Sequence, residues 1–307
     1  VNLLAFKGDK MGLERALYLA GRMNYRQTMV NLRDEILQEA WHLNNQFLHL
    51  CGVGLTGVRA RPDLKAYDHK RNQKIAVSGA HSMANELNAP LPKNVTCIKP
   101  SGTISKIMGT EDWGEVPEGI HMPLGKYIFN NITYSKHDPL VDRFKEAGYK
   151  VVEKPFEPES VLVTFPVKYQ NIPFARTHVT RKNGKVEEVE INPDSAVMQL
   201  DWYHLLQTTW SEQNVSNTVS YDKSEISTII DWLMEHWDSY VGVSFLPRND
   251  PSKNAEDLGY AYLPQEVKTE QEFDLYASSL KEVCYEGIHV GGEESLESCS
   301  TGACPIR

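Results

Sequence analysis

Apolar positions recur at helical spacing between residues 12 and 48, with Leu13, Leu17 and Ala20 on one face, and the stretch reads as two helices. LCGVGLTGV (50–58) interleaves glycine with small apolar residues and predicts tight backbone packing or a turn. Residues 70–88 read as helix, 94–99 as a strand, 109–125 as a loop rich in Gly, Glu and Pro, and 126–135 as a further strand. DPLVDRFKEAGY (138–149) is a helix opened by Asp138 and Pro139 and closed by Gly148, and VLVTFPV (161–167) is a strand. Asn183-Gly184 predicts a type I′ hairpin between THVTR and VEEVEI. Asp194 opens a helix that carries Ala196, Leu200, Tyr203 and Trp210 on one face; VSNTVSY (215–221) is a strand. Asp222 opens a helix striped by Ile226, Ile230, Leu233 and Trp237, and VGVSFL (241–246) is a strand. The Trp and Tyr stripes read as core. Strand and helix alternate, which predicts an α/β fold with largely parallel strands and the hairpin as an ornament.

From about residue 285 the chain becomes poor in large apolar residues and rich in Gly, Ser and Glu, and it reads as a flexible tail after a folded body over 1–284. The 307 residues are 41% hydrophobic and 24% charged, which is enough for a sizeable core. No apolar run is long enough to span a membrane and the first 25 residues are charged, so the expected location is cytoplasmic, with no membrane partner. Residue 1 is Val, from which the sequence is expected to start inside a longer protein. A net charge of −9 without a basic block argues against a nucleic-acid partner. A phosphorylated ligand would therefore have to be held largely by backbone N–H groups and hydroxyls.

NVTCIKPSGTIS (94–105) offers such a place. Pro100 ends the strand; Ser101, Gly102 and Thr103 then supply two hydroxyls and successive N–H groups, with Gly102 allowing close approach of a ligand to the main chain. A short helix after them (104–108) would add its positive dipole end, and Lys99 and Lys106 would add charge. An ordinary helix N-cap built by Ser101 or Thr103 explains the same residues.

The five cysteines, Cys51, Cys97, Cys284, Cys299 and Cys304, form no secreted disulfide framework. Cys299 and Cys304 are a pair: close enough to form a small disulfide ring, on a tail where a ring would stabilise little, and suited to thiol–disulfide exchange. Zinc would need four ligands, and beyond His289 no further companion is evident, so no metal site is expected. Two inert thiols at a frayed end are the remaining reading.

Taken in order, KPSGTIS, EGIHMPLGKYIF, DPLVDRFKEAGY, VLVTFPVKY, QLDWYHLLQTTWSEQNVSNTVSY, GVSFLPR and a final CxxxxCPIR resemble the C-terminal half of adenosylcobalamin-dependent, monomeric, triphosphate-reducing (class II) ribonucleotide reductases. The resemblance covers most of residues 20–265 and the last dozen. It implies the second half of a ten-stranded α/β barrel followed by a flexible C-terminal redox tail. It implies that Pro100, Ser101, Gly102 and Thr103 cradle the phosphates of a ribonucleoside triphosphate. It further implies that Cys299 and Cys304 re-reduce the active-site disulfide and are themselves reduced by thioredoxin. The cofactor it implies is adenosylcobalamin, whose cobalt–carbon homolysis generates a thiyl radical that abstracts the ribose 3′ hydrogen.

The finger-loop motif Asn-x-Cys-x-Glu that carries the radical cysteine in this family is absent; Cys284-Tyr285-Glu286 is preceded by Glu282 and reads as a decoy. The N-terminal half of a reductase is therefore an expected partner, and the chain alone is expected to be inactive. The iron-dependent branch calls for a Tyr-Tyr pair where this chain has only Tyr260-Ala-Tyr262, and the glycyl-radical branch calls for a different terminus. His121 reads as an ordinary loop histidine rather than a cobalt ligand. Two rivals stand beside this reading: a non-catalytic phosphate-binding or redox-relay module, and a diphosphate-reducing relative.

Overall fold

The computed structural model describes residues 1–33, 37–100, 119–169 and 172–286. In chain order its elements are α1 (Lys10–Gln27), α2 (Glu39–Leu48), β1 (Val53–Gly54), α3 (Ala66–Glu86), β2 (Thr96–Cys97), β3 (Tyr127–Ser135), α4 (Pro139–Glu146), β4 (Val151–Glu153) and β5 (Ser160–Lys168). They continue as β6 (Ala175–Thr180), β7 (Val186–Ile191), α5 (Ala196–Thr209), β8 (Thr218–Tyr221), α6 (Ile226–Glu235), β9 (Ser244–Pro247), β10 (Gln265–Val267) and α7 (Glu270–Ser279). They divide into two units, the first mainly from Val1–Pro123 and Pro193–Arg248, the second mainly from Leu124–Tyr169, Pro173–Asn192 and the chain after Asn249.

Unit one is built on a parallel frame. Asn2 bridges Thr56, β1 pairs with β2, Ile98 bridges Val215, and β8 pairs with β9, every step parallel. Parallel neighbours need crossover connections, and the helices supply them. Glu14 pairs with Arg71, Tyr18 bonds Ser82 and Arg22 pairs with Glu86, so α1 and α3 run in the same direction. Their backbones meet at glycine: a Cβ on Gly21 would overlap the Ala76 carbonyl, and one on Gly79 would overlap the Tyr18 carbonyl. Leu13 and Leu17 of α1, Ala76 and Ala80 of α3, and Leu200, Tyr203 and Leu206 of α5 close over the frame in one core cluster.

Among the described residues the frame has five members, and neither the Asn2 segment nor β9 carries another strand on its outer edge. The ten-stranded barrel thus goes beyond what these residues form. Two further expectations need correction. On α6 most of the predicted core stripe faces outward: Ile226, Ile230 and Trp237 are exposed, Leu233 alone of the four packs half-buried against the core, and Ile229 and Trp232 are the buried residues. Periodicity finds an apolar arc, but Trp232 turns inward because its indole N–H reaches Asp201 at 2.9 Å, and that contact fixes the helix face.

The parallel expectation fails for unit two, whose sheet runs β10-β3-β5-β4 with all neighbours antiparallel. Phe144, Phe165, Tyr134 and Tyr149 form its aromatic cluster beside Val141, Val161 and Val163, with ring centroids of Phe144 and Phe165 5.2 Å apart and perpendicular. Asp138 caps α4 as predicted, accepting from the Leu140 N–H at 2.9 Å. The β6–β7 hairpin also forms, yet its turn is not type I′. Gly184 alone takes a positive φ, of 81°, and its N–H bonds the Arg181 carbonyl, giving a four-residue turn followed by a left-handed glycine bulge.

His69 on α3 is 1% exposed and neither ring nitrogen has a partner. Burial holds its pKa below the ordinary imidazole value, because the charged form would lose its water. As pH falls through about 6.5 the unfolded chain takes up this proton before the folded chain does, so the stability present at neutral pH is progressively lost on acidification. Thermal melts at about pH 7.5 and about pH 5 should show a lower midpoint at acid pH. His69→Leu should reduce that difference, and an unchanged difference would refute the assignment.

Candidate functional site: the carboxyl ends of the parallel frame

In an open parallel sheet the loops at the carboxyl ends of the strands gather ligand-binding groups, since helix N-termini and free N–H groups point there. β2 runs into this end through Ile98, Lys99 and Pro100. Val95, Thr96 and Ile98 are buried, whereas Lys99 and Pro100 are exposed, so the strand emerges from the core at the predicted break. Ser101, Gly102 and Thr103 lie outside the described residues. The described chain resumes at Gly119, where a Cβ would come within 2.7 Å of the Pro100 carbonyl oxygen; glycine lets the two ends of this segment touch.

A second segment clasps β2. Glu212 and Gln213 N–H groups donate to the Thr96 carbonyl at 3.1 and 3.2 Å, and the Ser216 N–H donates to the Ile98 carbonyl at 3.0 Å. The Glu212 carboxylate accepts from the Val95 N–H at 2.7 Å, the Thr96 hydroxyl donates to the Trp210 carbonyl at 2.6 Å, and the buried Trp210 indole donates to the Cys97 carbonyl at 3.0 Å. WSEQNVS is therefore a brace that fixes where Pro100 points. His121 is part of the same arrangement: its Nε2 accepts from the Thr218 N–H at 2.9 Å.

The arginines near this end serve as anchors. Arg59, after β1, makes a buried ion pair with Asp194 and lies 4.5 Å over the Trp202 ring. Arg248, after β9, donates to the Asp194 and Ser220 carbonyls at 3.1 and 3.2 Å and pairs with Asp222 and Glu225. Burial lowers the Arg59 pKa and Asp194 opposes it. Asp194→Ala would strand that guanidinium, and a loss of about 3–5 kcal/mol in urea unfolding is expected; a loss below about 1 kcal/mol would contradict the pairing.

The thiols separate into two groups. Cys51 and Cys97 are buried, and burial pushes Cys51 up to about 11 and raises Cys97 as well, so both stay protonated and poorly reactive near neutral pH. Cys284 is exposed and free. Cys299 and Cys304 lie outside the described residues. Among the described residues no cluster of three or more His, Cys, Asp or Glu side chains could hold a metal ion. No described helix is long and apolar enough to cross a membrane.

The braced parallel frame is an α/β arrangement, and the sequence relatives say more. A curated adenosylcobalamin-dependent ribonucleoside-triphosphate reductase of Levilactobacillus brevis is 28% identical over 218 residues, 69% of this chain and 26% of that protein. The chain resembles these reductases. The corresponding reductase of Lactobacillus gasseri is 27% identical over 76% of this chain and 29% of its own length. A probable reductase of the same name from Dictyostelium discoideum is 27% identical over 70% and 26%. A crystal structure of a B12-dependent, class II ribonucleotide reductase matches 100% of this chain and 42% of its own with a TM-score of 0.69 at 19% identity, a likeness of fold. No family model matches. The chain spans about a quarter of the length of the curated reductases it matches.

Proposed function

We propose that this chain is the C-terminal, substrate-binding segment of a ribonucleotide reductase that takes ribonucleoside triphosphates and works with a separate or preceding N-terminal half. The observation that carries the reading is a braced strand that leads out to Pro100 on the carboxyl side of a five-membered parallel frame, in a chain that is similar to proteins named triphosphate reductases. Backbone N–H groups and hydroxyls of Ser101, Gly102 and Thr103 hold the phosphates, with Lys99 beside them. The open edges of the frame support a complementary half that completes the barrel.

For each nucleotide reduced, the ribose 2′-hydroxyl leaves as water and two active-site thiols become one disulfide. The Cys299–Cys304 dithiol exchanges with that disulfide, restoring the thiols and becoming oxidised, and a thioredoxin dithiol reduces the tail again. The balance is two electrons and two protons per turnover.

Adenosylcobalamin comes to this reading from the relatives' names. The described residues offer it no metal-ligand set, and the matched-region histidine, His121, has its Nε2 engaged by Thr218. The described residues do not fit a cobalt-ligating role. The test is to mix this chain with an N-terminal reductase segment bearing Asn-x-Cys-x-Glu, adenosylcobalamin and a dithiol. Deoxynucleoside triphosphate should form only in the mixture; no product from any such pairing would overturn the reading.

A further inference from the structure

The outward face of α6 is where unit one exposes a continuous row of large apolar side chains. Ile230 is 54% exposed, Met234 68% and Trp237 65%, with Ile226 at the start of the row and Val241 just beyond it. At 100° per residue, Ile226, Ile230 and Met234 fall within one arc of about 80°, and Trp237 follows in the turn after the helix ends at Glu235. The buried arc is a different one, marked by Ile229 and Trp232. A third arc carries Asp231 and Glu235, and Asp238 follows in the turn after the helix, all three exposed. Among the described residues none of these three carboxylates has an ion-pair partner, and no Lys or Arg stands between Ser224 and Val243.

This combination identifies a kind of occupant. Three large apolar side chains at helical spacing, extended by Trp237 in the turn that follows, match the anchor pattern of helix-on-helix recognition. Its flank is acidic and uncompensated, so a second copy of this face would bring like charges together, at a cost that disfavours self-pairing. We propose that the α6 face docks a basic amphipathic helix presented by another polypeptide chain: an apolar stripe against Ile230, Met234 and Trp237, and lysine or arginine on the side facing Asp231, Glu235 and Asp238. Trp237 and Met234 are the anchors, because a large flat ring and an adaptable thioether bury the most area at small conformational cost. The carboxylates set orientation and salt dependence. This surface involves none of the phosphate-loop residues, so it stands apart from the nucleotide reading.

The experiment titrates the full chain with a labelled Leu/Lys peptide patterned as an amphipathic helix, read by fluorescence anisotropy, with the Leu/Glu peptide of the same pattern as comparison. The Leu/Lys peptide should bind and the Leu/Glu peptide should not, and added salt should weaken binding. Trp237→Ser and the double change Asp231→Lys with Glu235→Lys should each weaken it about tenfold or more. Trp41→Ser, an exposed aromatic elsewhere in the unit, should leave it unchanged. Equal loss in Trp41→Ser, equal binding of the Leu/Glu peptide, absence of binding, or dimerisation of the chain that Trp237→Ser abolishes would each overturn the proposal. Because Trp237 is exposed, circular dichroism of the variants should match the parent.

Discussion

Gly79→Leu should abolish the cooperative unfolding transition of unit one. At the α1–α3 crossing the two helix backbones touch, with Gly79 facing the Tyr18 carbonyl and Gly21 facing the Ala76 carbonyl. A Cβ at either site has backbone, not a movable side chain, in its way. The helices would have to separate, and with them the core cluster of Leu13, Leu17, Ala76 and Ala80 and the Tyr18–Ser82 and Arg22–Glu86 contacts. Loss of one well-packed interface costs about 4–5 kcal/mol or more, which is comparable to the whole stability of many domains. Far-ultraviolet circular dichroism during a urea titration measures it. A variant with the parent's midpoint would show that the crossing is not as close as described.

Cys299→Ser and Cys304→Ser carry the second large effect, on activity. Under the proposed relay, each should reduce thioredoxin-driven turnover of the reconstituted enzyme to about one equivalent of product, since the proposed active-site disulfide would then have no route to the reductant. A small dithiol that reaches the disulfide directly should restore multiple turnovers in both variants. Full thioredoxin-driven turnover in either would remove the tail from the mechanism. Cys51→Ser and Cys97→Ser are the controls: their buried, protonated thiols predict no redox phenotype.

Elements with strong local signals were legible in the sequence. Asp138 with Pro139 marks the start of α4, and the Asn-Gly pair marks a reversal between β6 and β7, because caps and positive-φ turns are local physics. What escaped depended on distant partners. β4 and β10 are three residues each and exist through pairing with β5 and β3, β10 being more than 130 residues from its partner in sequence. VG at 53–54 reads as tight backbone packing or a turn because two residues hold too little periodicity, and β2 makes it a strand. The α6 stripe was found, but of its four members only Leu233 meets the core, since an apolar arc does not say which neighbour it meets. At the site, a break near Pro100 was readable from proline's missing N–H, and the strand's last bridge is at Ile98. The brace from Trp210 to Ser216 was not, because its hydrogen bonds span more than 100 residues.

The most direct test is calorimetric titration of the chain with a ribonucleoside triphosphate, comparing the parent with a Ser101→Ala, Thr103→Ala double variant. The account predicts saturable binding that weakens at least about tenfold in the variant, equivalent to about 1.4 kcal/mol. Identical affinity in the two proteins, or no binding by the parent, would contradict it.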